Sequence, residues 1–142
     1  MSAPTFLDTN VLLYADDHAV PEKRERAKNL IRETMRDRNG RVSLQVLQEY
    51  FSAATRKLRL DVSIARRQVE LYSRFDVVKL NPNDLLAAID LHRLHQFSIW
   101  DALILRAAII SGCRRLYTED LQAGFRLDSL EIVNPFAGTP TR

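Results

Sequence analysis

The sharpest constraint on this chain is a break near its start. Thr5-Phe6-Leu7 is a short run of β-favouring and apolar residues that stops at Asp8, and a new apolar run begins at Val11. That pattern describes a buried strand ending in a carboxylate and turning at once into a helix, with Thr9 or Asn10 as the cap. In an open α/β sheet, ligands sit in the crevice outside the carboxyl ends of the strands, and Asp8 stands at that edge. Alone, Asp8 need do no more than cap a helix. Its meaning depends on what later strands bring to the same place.

Strands and helices alternate from there on. Asp16-Asp17-His18-Ala19 reads as a loop, and Pro21 opens a helix that Asn39-Gly40 closes. Ala27, Leu30, Ile31, Thr34 and Met35 form its apolar face, with Lys and Arg on a wet outer side. Arg41-Val42-Ser43 is a brief strand, with Ser43 capping a helix from Leu44 to about Lys57. That helix carries Leu44, Leu47, Phe51, Ala54 and Leu58 as its stripe, and Glu49 lies off it. A helix from Asp61 to about Tyr72 follows, then a strand over 75–80 and a helix opened by Pro82 that runs through His95. The most apolar helix spans Ser98 to Ile110, and strands at 115–118 and 130–133 complete the pattern. Such alternation predicts an α/β fold whose parallel sheet is covered by helices on both faces.

Composition narrows the class. The 142 residues are 46% hydrophobic and 27% charged, as in a soluble globular protein of one domain. We expect that domain over residues 1–136, with 137–142 as a disordered tail. The net charge is +3, and the only lysines are Lys23, Lys28, Lys57 and Lys79, so Arg supplies most of the basic character. Arg suits phosphate through its bidentate fork, which allows nucleic acid without demanding it. Cys113 is the single cysteine, which rules out an internal disulfide and a cysteine-cluster zinc site and fits a reducing cytoplasm. Arg106 interrupts the best apolar run, so no membrane span is expected. No basic segment precedes the first apolar run, so a signal peptide is not expected either.

Four acids emerge from this layout. Asp8 and Asp120 each follow a strand, Asp101 stands in the first turn of a helix, and Glu49 projects from a helix away from its stripe. Gathered at one edge they would form an all-oxygen set suited to Mg²⁺ or Mn²⁺. Each also has an ordinary reading. Ser98-x-x-Asp101 matches a capping box, Thr118-x-Asp120 a turn, and Glu49 a solvated helix position. The ordinary readings weaken together, because two carboxylates ~5 Å apart at an effective dielectric of ~20 repel by about 3 kcal/mol.

Phe6-Leu7-Asp8-Thr9-Asn10-Val11-Leu12, then Gln48-Glu49, then Ser98-Ile99-Trp100-Asp101-Ala102-Leu103-Ile104, then Leu116-Tyr117-Thr118-Glu119-Asp120 resemble a PIN domain. The likeness is to the VapC-type toxins of bacterial toxin–antitoxin pairs, and it runs from Thr5 to about Phe136. It implies a three-layer α/β/α sandwich and a metal-dependent ribonuclease. Asp8, Glu49, Asp101 and Asp120 become the catalytic, metal-binding acids, with Thr9, Asn10 and Thr118 as the polar groups that orient them. It also implies an RNA substrate, a cognate antitoxin and a homodimer. Gln122 stands where many relatives carry a further acid, which leaves a second metal position without that ligand.

Other residues carry less. His92 and His95, three apart on a helix, read as surface residues rather than zinc ligands. Arg56, Lys57, Arg59, Arg66, Arg67 and Arg74 suit an RNA path, a solvated face or a partner surface equally. Trp100 reads as packed core. The alternatives to a nuclease are a PIN-like fold that binds RNA or protein without cutting, and a receiver-type phosphoacceptor. The latter would want paired acids beside the first strand and a Lys after a late one, and no Lys follows position 79.

Overall fold

A computed structural model describes residues 3–139. Six strands form one sheet in the order β3-β2-β1-β4-β6-β5. β1 (Thr5–Leu7), β2 (Gly40–Ser43), β3 (Asp76–Val78), β4 (Arg115–Tyr117) and β6 (Leu130–Val133) are parallel, and β5 (Arg126–Leu127) pairs antiparallel with β6. From β1 the chain crosses to β2 by α1 (Thr9–Ala15) and α2 (Pro21–Arg36), and from β2 to β3 by α3 (Leu44–Arg56) and α4 (Val62–Tyr72). It returns from β3 to β4 by α5 (Pro82–His95) and α6 (Ile99–Ile110). Right-handed crossovers running in opposite directions place their helices on opposite faces. Accordingly α1 packs on α2 and α3, α3 on α4, and α5 on α6. The sandwich is therefore α/β/α, with an antiparallel edge that the alternation did not foretell.

The core lies on both sides of β1 and β4, where Phe6, Leu7 and Leu116 are fully buried between Val11 and Leu12 of α1 and Leu105 of α6. Ser43 caps α3 by accepting from Val46 N at 3.2 Å, and Pro21 and Pro82 open their helices as expected. Three expectations shift. α2 ends at Arg36, Arg38 takes the left-handed conformation (φ 54°), and Gly40 begins β2 instead of closing the helix. The buried stripe of α3 is Val46, Leu47, Tyr50, Ala53 and Ala54, and Leu44 is exposed. α6 is buried at Ala102, Ile104, Leu105, Ala107 and Ala108, but Trp100 is 61% exposed and is not core.

Gly40 is there for closeness. A Cβ on it would lie within 3.0 Å of the Phe75 ring carbons Cδ1 and Cε1 and 3.1 Å from Thr34 Cβ. Gly40→Ala should therefore cost about 1–3 kcal/mol of stability, read by urea unfolding, as overpacking does. An unchanged midpoint would show that Phe75 yields freely. Of the tail expected at 137–142, residues 140–142 lie outside the described range, while Arg26 Nη1 donates to the Ala137 carbonyl at 2.7 Å. Among the described residues no helix is long and apolar enough to cross a membrane.

Candidate metal-binding and catalytic site

β1 and β4 are neighbours from which the chain departs in opposite directions, so their carboxyl ends form the switch point of the sheet. Leu7 pairs with Tyr117, and the residues just beyond, Asp8 and Thr118, arrive side by side. Asp8 N donates to the Tyr117 carbonyl at 3.1 Å, so backbone pairing fixes where the Asp8 side chain begins.

The cap of α1 is Asp8, not Thr9 or Asn10, which already stand in the helix's first turn, and Asp8 does more. Its carboxylate accepts Thr9 N on Oδ1 at 2.7 Å and the Thr118 hydroxyl on Oδ2 at 2.8 Å, and the residue is only 5% exposed. The Thr118 hydroxyl itself accepts from Asn10 Nδ2 and from Asp120 N, both at 3.1 Å. A hydroxyl has one proton and two acceptor sites, so with both sites taken its proton goes to Asp8 Oδ2. Asn10 Nδ2 also reaches Asp120 Oδ2 at 3.1 Å. Thr118 and Asn10 thus hold Asp8 and Asp120 in a fixed relation.

Glu49 joins from α3, where Thr9 Oγ1 donates to its Oε1 at 2.9 Å. Gln45, one turn earlier, donates weakly to Glu49 Oε2 (3.4 Å) and to the Trp100 carbonyl (3.2 Å), tying α3 to the start of α6. Asp101 stands in that first turn, and its backbone N–H is capped by Ser98 Oγ at 3.0 Å. The cap is one-sided. In α5 the corresponding pair is reciprocal, with Asp84 bonded back to Asn81 N at 3.1 Å. Among the described residues no hydrogen bond joins the Asp101 carboxylate to the other three acids.

Electrostatics record the gathering. Burial pushes Asp8 up to about 6, against the hydrogen bonds from Thr118 and Thr9, and the charges of Asp120 and Glu49 add to the rise. Burial also raises Asp101, with Ser98 opposing and the Asp120 charge adding. Among the described residues no three His, Cys, Asp or Glu side chains already stand placed to hold one metal ion. The donor chemistry is nonetheless uniform. Oxygen donors that repel one another suit a hard divalent cation, which relieves that repulsion.

Of the four acids, Glu49 and Asp120 line a cleft of about 850 Å³, together with Asn10, Ser52, Arg56, Lys57 and Glu119. His18, on the loop after α1, lines it too. Across from α3, Asp16 accepts from the Tyr50 hydroxyl at 2.5 Å and the Tyr72 hydroxyl at 3.2 Å, which pins α1 to α3 and α4.

The model of the PIN domain family matches residues 5–126. The chain belongs to the PIN-domain family. No curated protein matches it in sequence. Among solved structures, a toxin–antitoxin complex from Klebsiella pneumoniae is similar at TM-score 0.67 and 19% identity, covering 94% of this chain and 98% of that one. The Mycobacterium tuberculosis toxin VapC20, described as cleaving the sarcin–ricin loop, is similar at TM-score 0.68 and 18% identity, covering 82% and 89%. A DNA-bound VapBC from Salmonella typhimurium is similar at TM-score 0.65 and 18% identity, covering 92% and 97%. At such identities these likenesses speak for the PIN fold.

In this PIN domain the structure also brings in residues that sequence reasoning passed over. Lys23, read as part of a wet face, is 6% exposed and ion-paired with Glu119. The signal was present: Lys23 stands four residues before Ala27 and eight before Ile31, on the buried stripe of α2. His92 stays exposed at the end of α5, with Nδ1 2.5 Å from the Phe97 carbonyl, and His95 packs against Phe97 and Phe125.

Proposed function

We propose that this PIN domain is a divalent-metal-dependent ribonuclease and the toxin of a toxin–antitoxin pair, working in the cytoplasm as a homodimer that a cognate antitoxin restrains. The observation that carries the reading is the Asp8–Thr118–Asn10–Asp120 network at the switch point, with Glu49 bonded to Thr9 beside it and Asp101 near enough to feel the Asp120 charge. Asp8, Asp101 and Asp120 would hold Mg²⁺ or Mn²⁺, with Glu49 binding directly or through water. When bound, such an ion acidifies water and offsets the charge that builds on a phosphodiester under attack. The Thr118 hydroxyl and the Thr9 backbone N–H fix the orientation of the Asp8 carboxylate by donating to it, and Asn10 holds Asp120 beside it. The kinship of fold with toxins, one of them described as cleaving the sarcin–ricin loop, supports this reading.

The cleft gives that substrate a path. Glu49, Ser52, Ala53 and Arg56 lie on one face of α3, and seven residues of rise set Arg56 about 10 Å from Glu49. Neither Arg56 nor Lys57 enters an ion pair among the described residues, so both are available to the phosphates flanking the cut. Arg66, Arg67 and Arg74 do not line the cleft. Arg56→Ala/Lys57→Ala should lower the salt slope of RNA binding by about 1.4, roughly 0.7 per lost contact to a single strand. Filter binding across a salt series measures it, and an unchanged slope would take the path elsewhere.

The function itself is tested by incubating structured RNAs with the protein in Mg²⁺, Mn²⁺ or EDTA. Cleavage confined to the metal-containing arms is expected. A PIN fold that binds without cutting would retain the RNA intact in every arm, and Gln122 is the residue that favours this second reading.

A further inference from the structure

The segment after β4 carries two acids in succession, both on the cleft wall, and of the two carboxylates only that of Asp120 bonds to Asn10. Glu119 is occupied elsewhere. The Tyr14 hydroxyl donates to its Oε1 at 2.6 Å, Lys23 Nζ pairs with its Oε2, and its backbone N–H donates to Asn10 Oδ1 at 3.2 Å. Lys23 Nζ also donates to the Tyr14 hydroxyl at 3.3 Å and sits 4.8 Å from the Tyr14 ring centre and 5.9 Å from that of Phe136. The aromatic pair is itself in edge contact, with centroids 4.8 Å apart.

Asn10 and Tyr14 are one turn apart on α1, so a single helix face grips both halves of this segment. Asn10 takes the Glu119 amide, Thr118 and Asp120, while Tyr14 takes the Glu119 carboxylate. A buried ion pair contributes little net stability, because desolvation consumes most of its attraction. Stability alone is therefore a weak reason to bury a lysine here. Its location is a better one. Without Lys23 a further unpaired carboxylate would stand directly beside Asp120, repelled by the cluster and pulling the segment with it.

We propose that Lys23, assisted by Tyr14, is a positioning residue for the site: it neutralises Glu119 and ties it to α1 and α2, so that residues 118–120 hold Asp120 in register with Asp8 without a second uncompensated charge on the cleft wall. This rests on the reading of Asp8, Glu49, Asp101 and Asp120 as the metal-binding acids. It also means that Glu119 does not stand in for the acid missing at Gln122.

The test compares wild type with Lys23→Met, Glu119→Gln and the double variant Lys23→Met/Glu119→Gln. The first readout is the Asn10 side-chain amide pair in ¹⁵N-resolved NMR spectra of metal-free protein, since that group bonds directly to Thr118 and Asp120. The second is Mn²⁺ affinity by calorimetry. Lys23→Met should displace the Asn10 amide resonances and weaken Mn²⁺ binding about tenfold, the usual scale for losing a group that orients ligands. The double variant, which has no charge to neutralise and keeps an acceptor for Tyr14, should return both readouts to within about twofold of wild type. If Lys23→Met does not fold, Tyr14→Phe serves, and it should move the same resonances in the same direction. Wild-type Asn10 signals in whichever single variant folds would overturn the proposal and leave Lys23 a strut between α2 and the β4 segment. Should wild type bind no Mn²⁺, the metal reading fails by itself, and the Asn10 signals still decide this one.

Discussion

Asp101→Asn is expected to lower metal-dependent RNA cleavage by about 10³-fold while leaving the fold in place. The substitution keeps the shape of the side chain and leaves intact the bond from its own backbone N–H to Ser98 Oγ, so α6 keeps its cap. What it removes is one negative oxygen donor facing Asp120. A Lewis-acid ion supplies several kcal/mol of transition-state stabilisation, and each 1.4 kcal/mol is tenfold, so misplacing it costs about three orders of magnitude. Circular dichroism should be unchanged. The structure also bounds the stability effect. Asp101 is half-buried, burial is the first cause of its raised pKa, and Asp120 is the only charge among the causes. Relief of repulsion is therefore smaller than the ~3 kcal/mol of a close pair, and the lost helix-dipole interaction, about 0.5 kcal/mol, offsets part of it. Single-turnover cleavage by variant and wild type measures the effect, and full activity in the variant would remove Asp101 from the site.

The second large effect is a pH dependence carried by Asp8. Its pKa is 3.8 in the unfolded chain and about 6 when folded. Below pH 4 both states hold the proton and Asp8 contributes nothing. Between the two values the folded state binds more protons than the unfolded, so stability falls as pH rises and reaches its full cost above pH 6. The difference amounts to about 3 kcal/mol, or roughly 10 °C in melting temperature for a chain of this length. Metal-free wild type should thus lose stability from pH 4 to pH 7 relative to Asp8→Asn, whose profile should lack this slope. Asp8→Asn does not gain the whole amount at pH 7. Its amide would face the Thr118 hydroxyl, whose acceptor sites Asn10 and Asp120 already fill, and a mismatched buried donor costs about 1–3 kcal/mol. Mn²⁺ at ten times its dissociation constant should return about 1.4 kcal/mol to wild type at pH 7. Urea unfolding at both pH values, with EDTA and then with Mn²⁺, reads all three effects, and parallel profiles for the two proteins would show that Asp8 titrates normally.

The parts of this molecule that were legible beforehand share one property: a local chemical reason. Asp8 after β1, Ser43 before α3, Pro82 at the start of α5 and Ser98 before α6 all announce an element boundary through capping or ring geometry. β5 was not legible, because it is two residues long, one of them charged, and its turn uses Asp128 in the left-handed conformation (φ 54°) instead of glycine. Gly40 misled for a tertiary reason, the ring of Phe75, which lies 35 residues further on. Trp100 misled because an all-round apolar helix promises burial on every side, while the first turn of α6 leaves Trp100 exposed. In the site, strand ends located Asp8 and Asp120, but the network joining them depends on which way Thr118 and Asn10 point. Lys23 stayed hidden among six charged residues in the first half of α2, where only its spacing to Ala27 and Ile31 sets it apart.

In the proposed function Asp8, Asp101 and Asp120 converge on one divalent cation. Crystals of the protein grown with Mn²⁺ and measured for anomalous scattering test it most directly. One strong anomalous peak is expected at the carboxyl ends of β1 and β4, with carboxylate oxygens of these three residues about 2.1 Å away and Glu49 adjacent. Well-ordered crystals with the four side chains resolved and no peak among them, or with Mn²⁺ bound elsewhere, would contradict it.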